Sequence, residues 1–264
     1  QFPTTWLRVM YLQPQGITDA LLATMARHAN ICDYLDIPLQ HASARVLADM
    51  NRRGNAEDYL ALLARIRAVL PEVTLRTTVI AGFPGETRAE ARELERFIAQ
   101  AAFDYVGVFP YSQEDGTAAG ERPDQVPPRT RRARAQRLRD VADAIGFERI
   151  AAQVGRVEEV LITDYDEDVL AVPPGALPGT GDAVGATGTG TGAGGAPGTD
   201  AGTGGERTAP PPQNYPLLGR TKRQAPEVDG MVHLDCGTRG ELVSATMVEA
   251  YCYELDGRVT AGDV

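Results

Sequence analysis

Leu75-Arg76-Thr77-Thr78-Val79-Ile80-Ala81-Gly82-Phe83-Pro84-Gly85-Glu86-Thr87 and, upstream of it, Tyr34-Leu35-Asp36-Ile37-Pro38-Leu39-Gln40-His41-Ala42-Ser43 share one layout. Each is an apolar run that stops in polar and glycine residues just before a helical pattern, as a buried parallel strand does when it delivers functional groups from its C-terminal end. Working outward, Val9 to Tyr11 and Tyr105 to Phe109 read as further strands. Between the strands lie helical spacings at Asp19 to His28, Ala44 to Asn51, Ala56 to Leu70 and Arg88 to Ala101, the third carried by Leu60, Leu63, Ile66 and Leu70. Another helical stretch runs from Thr130 to Ala151. Four strand-then-helix units imply a parallel sheet with right-handed crossovers, an α/β unit over residues 1–150.

The pattern changes after residue 150. Gly155 to Ile162 alternates as a strand, and short strands follow near Met231 to Leu234, Leu242 to Glu249 and Tyr251 to Val259, separated by glycine-bearing turns. Residues 151–264 therefore read as a small antiparallel β domain. Residues 173–213 hold glycine, alanine, threonine and proline and no aromatic residue. Such a stretch cannot bury enough apolar surface to offset the entropy of ordering, so it reads as a disordered insertion in a surface loop.

Composition narrows the classes. The chain has 264 residues, 43% of them hydrophobic, enough for one large core or two modest ones. No run approaches a membrane span and no charged-then-apolar leader opens the chain, so the expectation is a soluble cytoplasmic protein with no membrane partner. Cys32, Cys236 and Cys252 lack metal-site spacing and read as idle or buried thiols. Arg129, Arg131, Arg132, Arg134, Arg137 and Arg139 form a basic run on a helix; such runs suggest nucleic acid in isolation, and most are solvated faces.

Four groups of residues are candidates for a site. Gln40 and His41 end a strand where a parallel barrel collects ligand-facing side chains. Gly82 and Gly85 permit close backbone approach to a ligand, or make an ordinary strand-to-helix turn. Arg76 and Thr78 lie one strand period apart and share a face; an interior arginine requires an anion, which is either a ligand's carboxylate or a core acid such as Asp36. Tyr111-Ser112-Gln113-Glu114-Asp115-Gly116-Thr117 ends the fourth strand, with Glu114 and Asp115 either reading a basic substrate or standing as solvated loop acids.

Together these strings resemble the radical S-adenosylmethionine (SAM) methylthiotransferases, most closely the RimO type. Gly219-Arg220-Thr221 with Ala225-Pro226-Glu227-Val228-Asp229-Gly230 resembles the TRAM domain that closes those enzymes. The resemblance implies a partial (β/α) radical-SAM barrel followed by a TRAM barrel. It implies SAM as cofactor, with Gln40, His41, Arg76, Thr78, Ile80 and Gly82 lining its site, Tyr111, Glu114 and Asp115 near the substrate entrance, and Glu86 structural. It assigns no catalytic acid or base. In the family a [4Fe-4S] cluster reduces SAM, and the resulting radical takes a hydrogen from the β-carbon of an aspartate in a small-subunit ribosomal protein. Sulfur arrives through a second cluster. The cluster-binding Cys-x3-Cys-x2-Cys is not in this sequence. The chain is thus expected to be a C-terminal portion, inactive alone, whose partner is the missing N-terminal part of the same enzyme.

Charge separates the branches of that family. Residues 149–264 carry 17 acidic and 8 basic side chains, against 19 and 18 in residues 1–148. An RNA-gripping domain needs a positive surface to displace counterions, whereas an acidic one attracts a basic protein. The expected partner is a basic ribosomal protein rather than nucleic acid. The alternatives are a transfer-RNA adenosine methylthiotransferase and a non-catalytic binding module derived from the same fold.

Overall fold

The computed structural model describes residues 5–165 and 215–260. The insertion read at 173–213 lies outside those residues. The first unit runs β1 (Leu7–Val9), α1 (Asp19–Arg27), β2 (Ile31–Asp36), α2 (Ala44–Asp49), α3 (Ala56–Val69), β3 (Thr74–Ala81), α4 (Arg88–Ala101), β4 (Tyr105–Pro110) and α5 (Pro128–Ala151). Its sheet is wholly parallel in the order β1-β2-β3-β4. The second unit is a closed five-stranded barrel of β5 (Val157–Tyr165), β6 (Leu217–Arg220), β7 (Val232–Leu234), β8 (Leu242–Tyr251) and β9 (Glu254–Val259), ordered β5-β6-β7-β9-β8.

Strand periodicity divides the sheet into two faces with different cover. Leu35, Ile37, Leu75, Val79, Ala81 and Val108 point to the helices and share one core with Leu22, Met25, Leu63, Ile66, Leu94 and Phe97. Burying each such side chain contributes roughly 2 kcal/mol. α4 shows why the outer layer forms: Ala91, Leu94, Phe97, Ile98 and Ala101 make one apolar stripe, and Thr87 and Glu90 close a capping box at its start. The opposite, inner face carries Cys32, Tyr34 and Tyr105 in its N-terminal half. These join a second core with Ile150 and the barrel residues Val160, Ile162, Leu217, Val232, Leu234, Met247 and Leu255. The barrel therefore sits against the N-terminal half of the inner face.

Several boundaries differ from the sequence reading. The first strand ends at Val9, because Tyr11 turns into the left-handed region (φ 58) and its N–H points at the Asp36 carboxylate. The β2 ladder ends at Asp36: Pro38 has no N–H to give, and the Leu39 N–H donates to the Thr77 hydroxyl instead of a carbonyl. Parallel pairing resumes at Gln40, itself left-handed (φ 69), opposite Val79. β6 is four residues long, too short for its alternation to register in the sequence. Cys252 (φ 49) splits the run read as one strand from Tyr251 to Val259. The barrel is not wholly antiparallel, since β7 and β9 pair parallel.

Candidate functional site

The C-terminal half of the inner face is the part of the sheet that the barrel leaves open. Ile80 on β3 stands in register with Phe109 on β4, both partly exposed, and Thr78 lies one period below Ile80. Gln40 closes the row: its backbone accepts from the Ile80 N–H and donates to the Thr78 carbonyl, and its half-buried carboxamide has no protein partner among the described residues. An apolar pair beside a free amide is a surface for a flat, hydrogen-bonding heterocycle. Phe109 was not singled out from the sequence, although its period-two spacing from Tyr105 and Gly107 was the available signal.

A buried brace underlies this edge. The His41 ring is fully buried, with Nδ1 accepting from the Ser43 N–H (2.9 Å), which leaves the proton of the neutral ring on Nε2. Nε2 lies 3.7 Å from Glu86 Oε2. Glu86 is buried too: Oε2 accepts from the Gly82 N–H (2.6 Å) and Oε1 from Arg134 (2.8 Å). Gln40 and His41 thus have different positions, one on the open surface and one inside the brace. Gly82 (φ 77) needs glycine for its backbone, and a Cβ there would meet the Arg131 side chain at 2.6 Å. At Gly85 (φ 78) the Cβ space is taken by the Asp124 carboxylate. Both glycines make room for this protein's own chain.

The basic run on α5 divides between two faces: Arg131 is buried and Arg134 and Arg139 are partly buried, while Arg129, Arg132 and Arg137 are exposed, so its reading as a solvated face holds for half of it. Arg131, 6% exposed, donates to the Val126 and Tyr111 carbonyls and to Gln125, and its guanidinium lies 5.0 Å from the centre of the Tyr111 ring. Arg134 pairs with Glu86, Arg137 with Glu95, and Arg139 donates to the Val108 carbonyl. The signal was present in the sequence: Arg131 and Arg134 precede Ala135, Leu138 and Ala142 at helical spacing on the buried stripe. Tyr111 also meets Phe83 edge-on at 5.3 Å. Glu114 and Asp115 lie in an exposed loop, where Glu114 is held by Ser112.

Arg76 and Thr78 share the inner face as their spacing required, with Arg76 Nη1 3.3 Å from Thr78 Oγ1. The Arg76 guanidinium is engaged by carboxylates of the protein, Asp36 at 3.1 Å and Asp229 of the barrel unit at 3.5 Å. Asp229 also accepts from the Tyr34 hydroxyl (2.7 Å) and the Ala225 N–H (2.8 Å). Burial pushes its carboxyl up to about 6, against the opposing pull of those donors and of Arg76. This cluster is the floor of the open surface.

A [4Fe-4S] cluster finds no ligand set here. Cys32 is sealed in the second core with its thiol pushed up by burial, Cys236 and Cys252 are exposed on the barrel unit, and among the described residues no three His, Cys, Asp or Glu could hold a metal ion. SAM fits better, through the Gln40 carboxamide, the Thr78 hydroxyl and the Ile80–Phe109 surface.

Comparison with known proteins agrees with this arrangement. Residues 7–98 match the Radical SAM superfamily and residues 212–260 the TRAM domain. The chain is 35% identical over 256 residues to the ribosomal protein uS12 methylthiotransferase RimO of Pelobacter propionicus, an overlap of 96% of this chain and 47% of that protein. The protein of the same name from Syntrophotalea carbinolica is 36% identical over the same shares. That of Pelotomaculum thermopropionicum is 50% identical over 157 residues, 60% of this chain and 35% of its own. The chain thus spans about half the length of the curated relatives it matches. Among solved structures, coproporphyrinogen III oxidase (HemN) from Escherichia coli, described as a Radical SAM enzyme, overlaps 56% of the chain with a TM-score of 0.47 at 19% identity.

Proposed function

We propose that this chain, with its Radical SAM and TRAM regions and its RimO-like sequence, is the C-terminal portion of a radical-SAM methylthiotransferase acting on a small-subunit ribosomal protein. The observation that carries the reading is similarity over 96% of the chain to relatives of that name, spanning both units and the seam between them. The target atom is the β-carbon of an aspartate. SAM supplies the methyl group and the radical precursor when bound. Gln40 holds its heterocycle by the free carboxamide, Ile80 and Phe109 offer apolar contact, and the Gly82 turn is kept in place by Glu86. Arg76, whose guanidinium stands beside Asp36 and Asp229, fixes the floor of the site. Tyr111, Glu114 and Asp115 stand at the rim where a basic protein segment enters. The clusters belong to the part of the enzyme that this chain does not contain, and the setting is the cytoplasm, where ribosomes are made.

The acidic balance of residues 149–264 supports a protein substrate over transfer RNA. Mass spectrometry of ribosomal proteins and of transfer RNA from cells with and without the gene tests the assignment. Loss of one methylthio group from a small-subunit ribosomal protein is the expected result. Loss from a transfer-RNA adenosine would overturn it.

A further inference from the structure

The same end of the sheet carries a second concavity, on the helix side of the strand ends. It is a cleft of about 440 Å³ lined by Gln13, Gln15, Leu39, Arg52, Arg53 and Tyr59 among others. Three connections build it: the turn after β1, the segment after β2, and the link from α2 to α3. That last link is pinned on both sides. Asn51 turns it in the left-handed region (φ 56), the Arg52 N–H donates to the Leu47 carbonyl, and the Arg53 carbonyl accepts from the Tyr59 hydroxyl (3.0 Å). Gly54 (φ 134) lies so close to the Tyr59 ring that a Cβ would sit 2.4 Å from it.

What this loop presents is positive charge without a counterpart. Nearby Arg45 pairs with Glu90 and Asp49, and Arg122 with Asp49 and Asp124. Among the described residues, no carboxylate stands within ion-pair distance of Arg52 or Arg53. Among the described residues the Arg52 side chain donates to the Pro38 carbonyl alone, at 3.5 Å. No acidic side chain lines the cleft, whereas three carboxamides do, those of Gln13, Gln15 and Asn51. Two guanidiniums and three carboxamides lining one concave site suit an oxyanion, above all a planar carboxylate taken in bidentate fashion. Leu39, in its wall, directly precedes Gln40, so the cleft and the open inner surface share one strand end.

We propose that this cleft receives the carboxylate of an acidic side chain in the protein segment being modified, so that Arg52 and Arg53 set substrate specificity. The proposal rests on the protein-substrate reading above. A basic segment bearing one acid is attracted by the acidic barrel unit, and the lone acid is its part that the arginines select.

The test uses the whole 264-residue chain and two short fluorescent peptides, rich in lysine and arginine, that differ only in one central aspartate or asparagine. The aspartate peptide is expected to bind about tenfold more tightly. Arg53→Gln and Arg52→Gln should each erase most of that preference while leaving the asparagine peptide unaffected. Arg53 is exposed and its side chain makes no hydrogen bond or ion pair among the described residues, so its variant is expected to stay folded, which circular dichroism verifies. Equal binding of the two peptides, or an undiminished preference in Arg53→Gln, would overturn the proposal. So would inorganic phosphate that displaces the aspartate peptide at stoichiometric concentrations. Equal peptide binding alongside methylthio transfer by the complete enzyme would remove the cleft and keep the function. A preference lost in the arginine variants, with methylthio loss seen only in transfer RNA, would keep the cleft and remove the function.

Discussion

Glu86 and Asp229 are both buried carboxylates, yet the two ends of the sheet furnish them differently. Glu86, under the open C-terminal edge, has a donor for each oxygen in the Gly82 N–H and Arg134, with His41 facing Oε2. Asp229, in the seam with the barrel, concentrates two hydrogen bonds on Oδ2. Its Oδ1 lies near Arg76 Nε without hydrogen-bond alignment; among the described residues the buried Tyr105 hydroxyl has no hydrogen bond, and at the other end His41 Nε2 has none. A saturated carboxylate fixes a loop, which a ligand-facing turn requires. An incompletely satisfied one leaves the junction of two units responsive to its surroundings.

The contrast predicts a sequence of decreasing effects. Glu86→Ala strands Arg134 and the Gly82 N–H in a buried place and should cost about 3 kcal/mol or more in urea unfolding. A loss below about 1 kcal/mol would mean water replaces the carboxylate and the edge is no more rigid than the seam. At the seam the signature is pH. The native Asp229 carboxyl titrates at about 6 against an ordinary 3.8, so between those values the native state holds the extra proton. Stability should therefore fall as pH rises through that window, by about 3 kcal/mol, and level off above it. Asp229→Asn should flatten this segment of the profile. An unchanged profile in the variant would locate the titration elsewhere.

Tyr34→Phe removes one of the donors that favours the charged form of Asp229. It should destabilise by about 1.5 kcal/mol at neutral pH and move the fall to higher pH. A loss without that movement would make Tyr34 a packing residue only. The smallest effect belongs to Thr87→Ala, which takes the hydroxyl from the α4 cap and should cost about 1 kcal/mol with no pH signature between 4 and 8. A change in the Asp229 titration in that variant would join the two ends that the structure keeps apart.

The sequence made the α/β unit readable because its signals are local. α4 follows from the stripe Ala91, Leu94, Phe97, Ile98 and Ala101 behind Thr87, and its observed ends coincide with those read in advance, Arg88 and Ala101. The placement of Gln40 at a strand end was equally local. What could not be read is pairing across long separations. Strand spacing leaves Arg76 between a ligand and Asp36, and only the fold brings in Asp229, 153 positions later, as a second carboxylate. His41 and Gln40 are neighbours in sequence, but a left-handed Gln40 sends the next residue inward to Glu86. Arg131 and Arg134 were masked by four exposed-looking arginines of the same run. β6 escaped because a four-residue strand acquires its meaning from β5 and β7.

The hydrogen bond from Tyr34 to Asp229 spans 195 positions. During synthesis the sheet therefore emerges with Tyr34, Arg76 and Asp36 assembled while their fourth member has yet to be translated. At ribosomal speeds the wait from Arg76 to Asp229 is on the order of ten seconds. Throughout that interval the nascent sheet displays a face of unsealed tyrosines and one provisional ion pair. The inner face is finished only by barrel residues translated after the sheet, so a chain stopped before Asp229 leaves that face unsealed and open to chaperones and proteases.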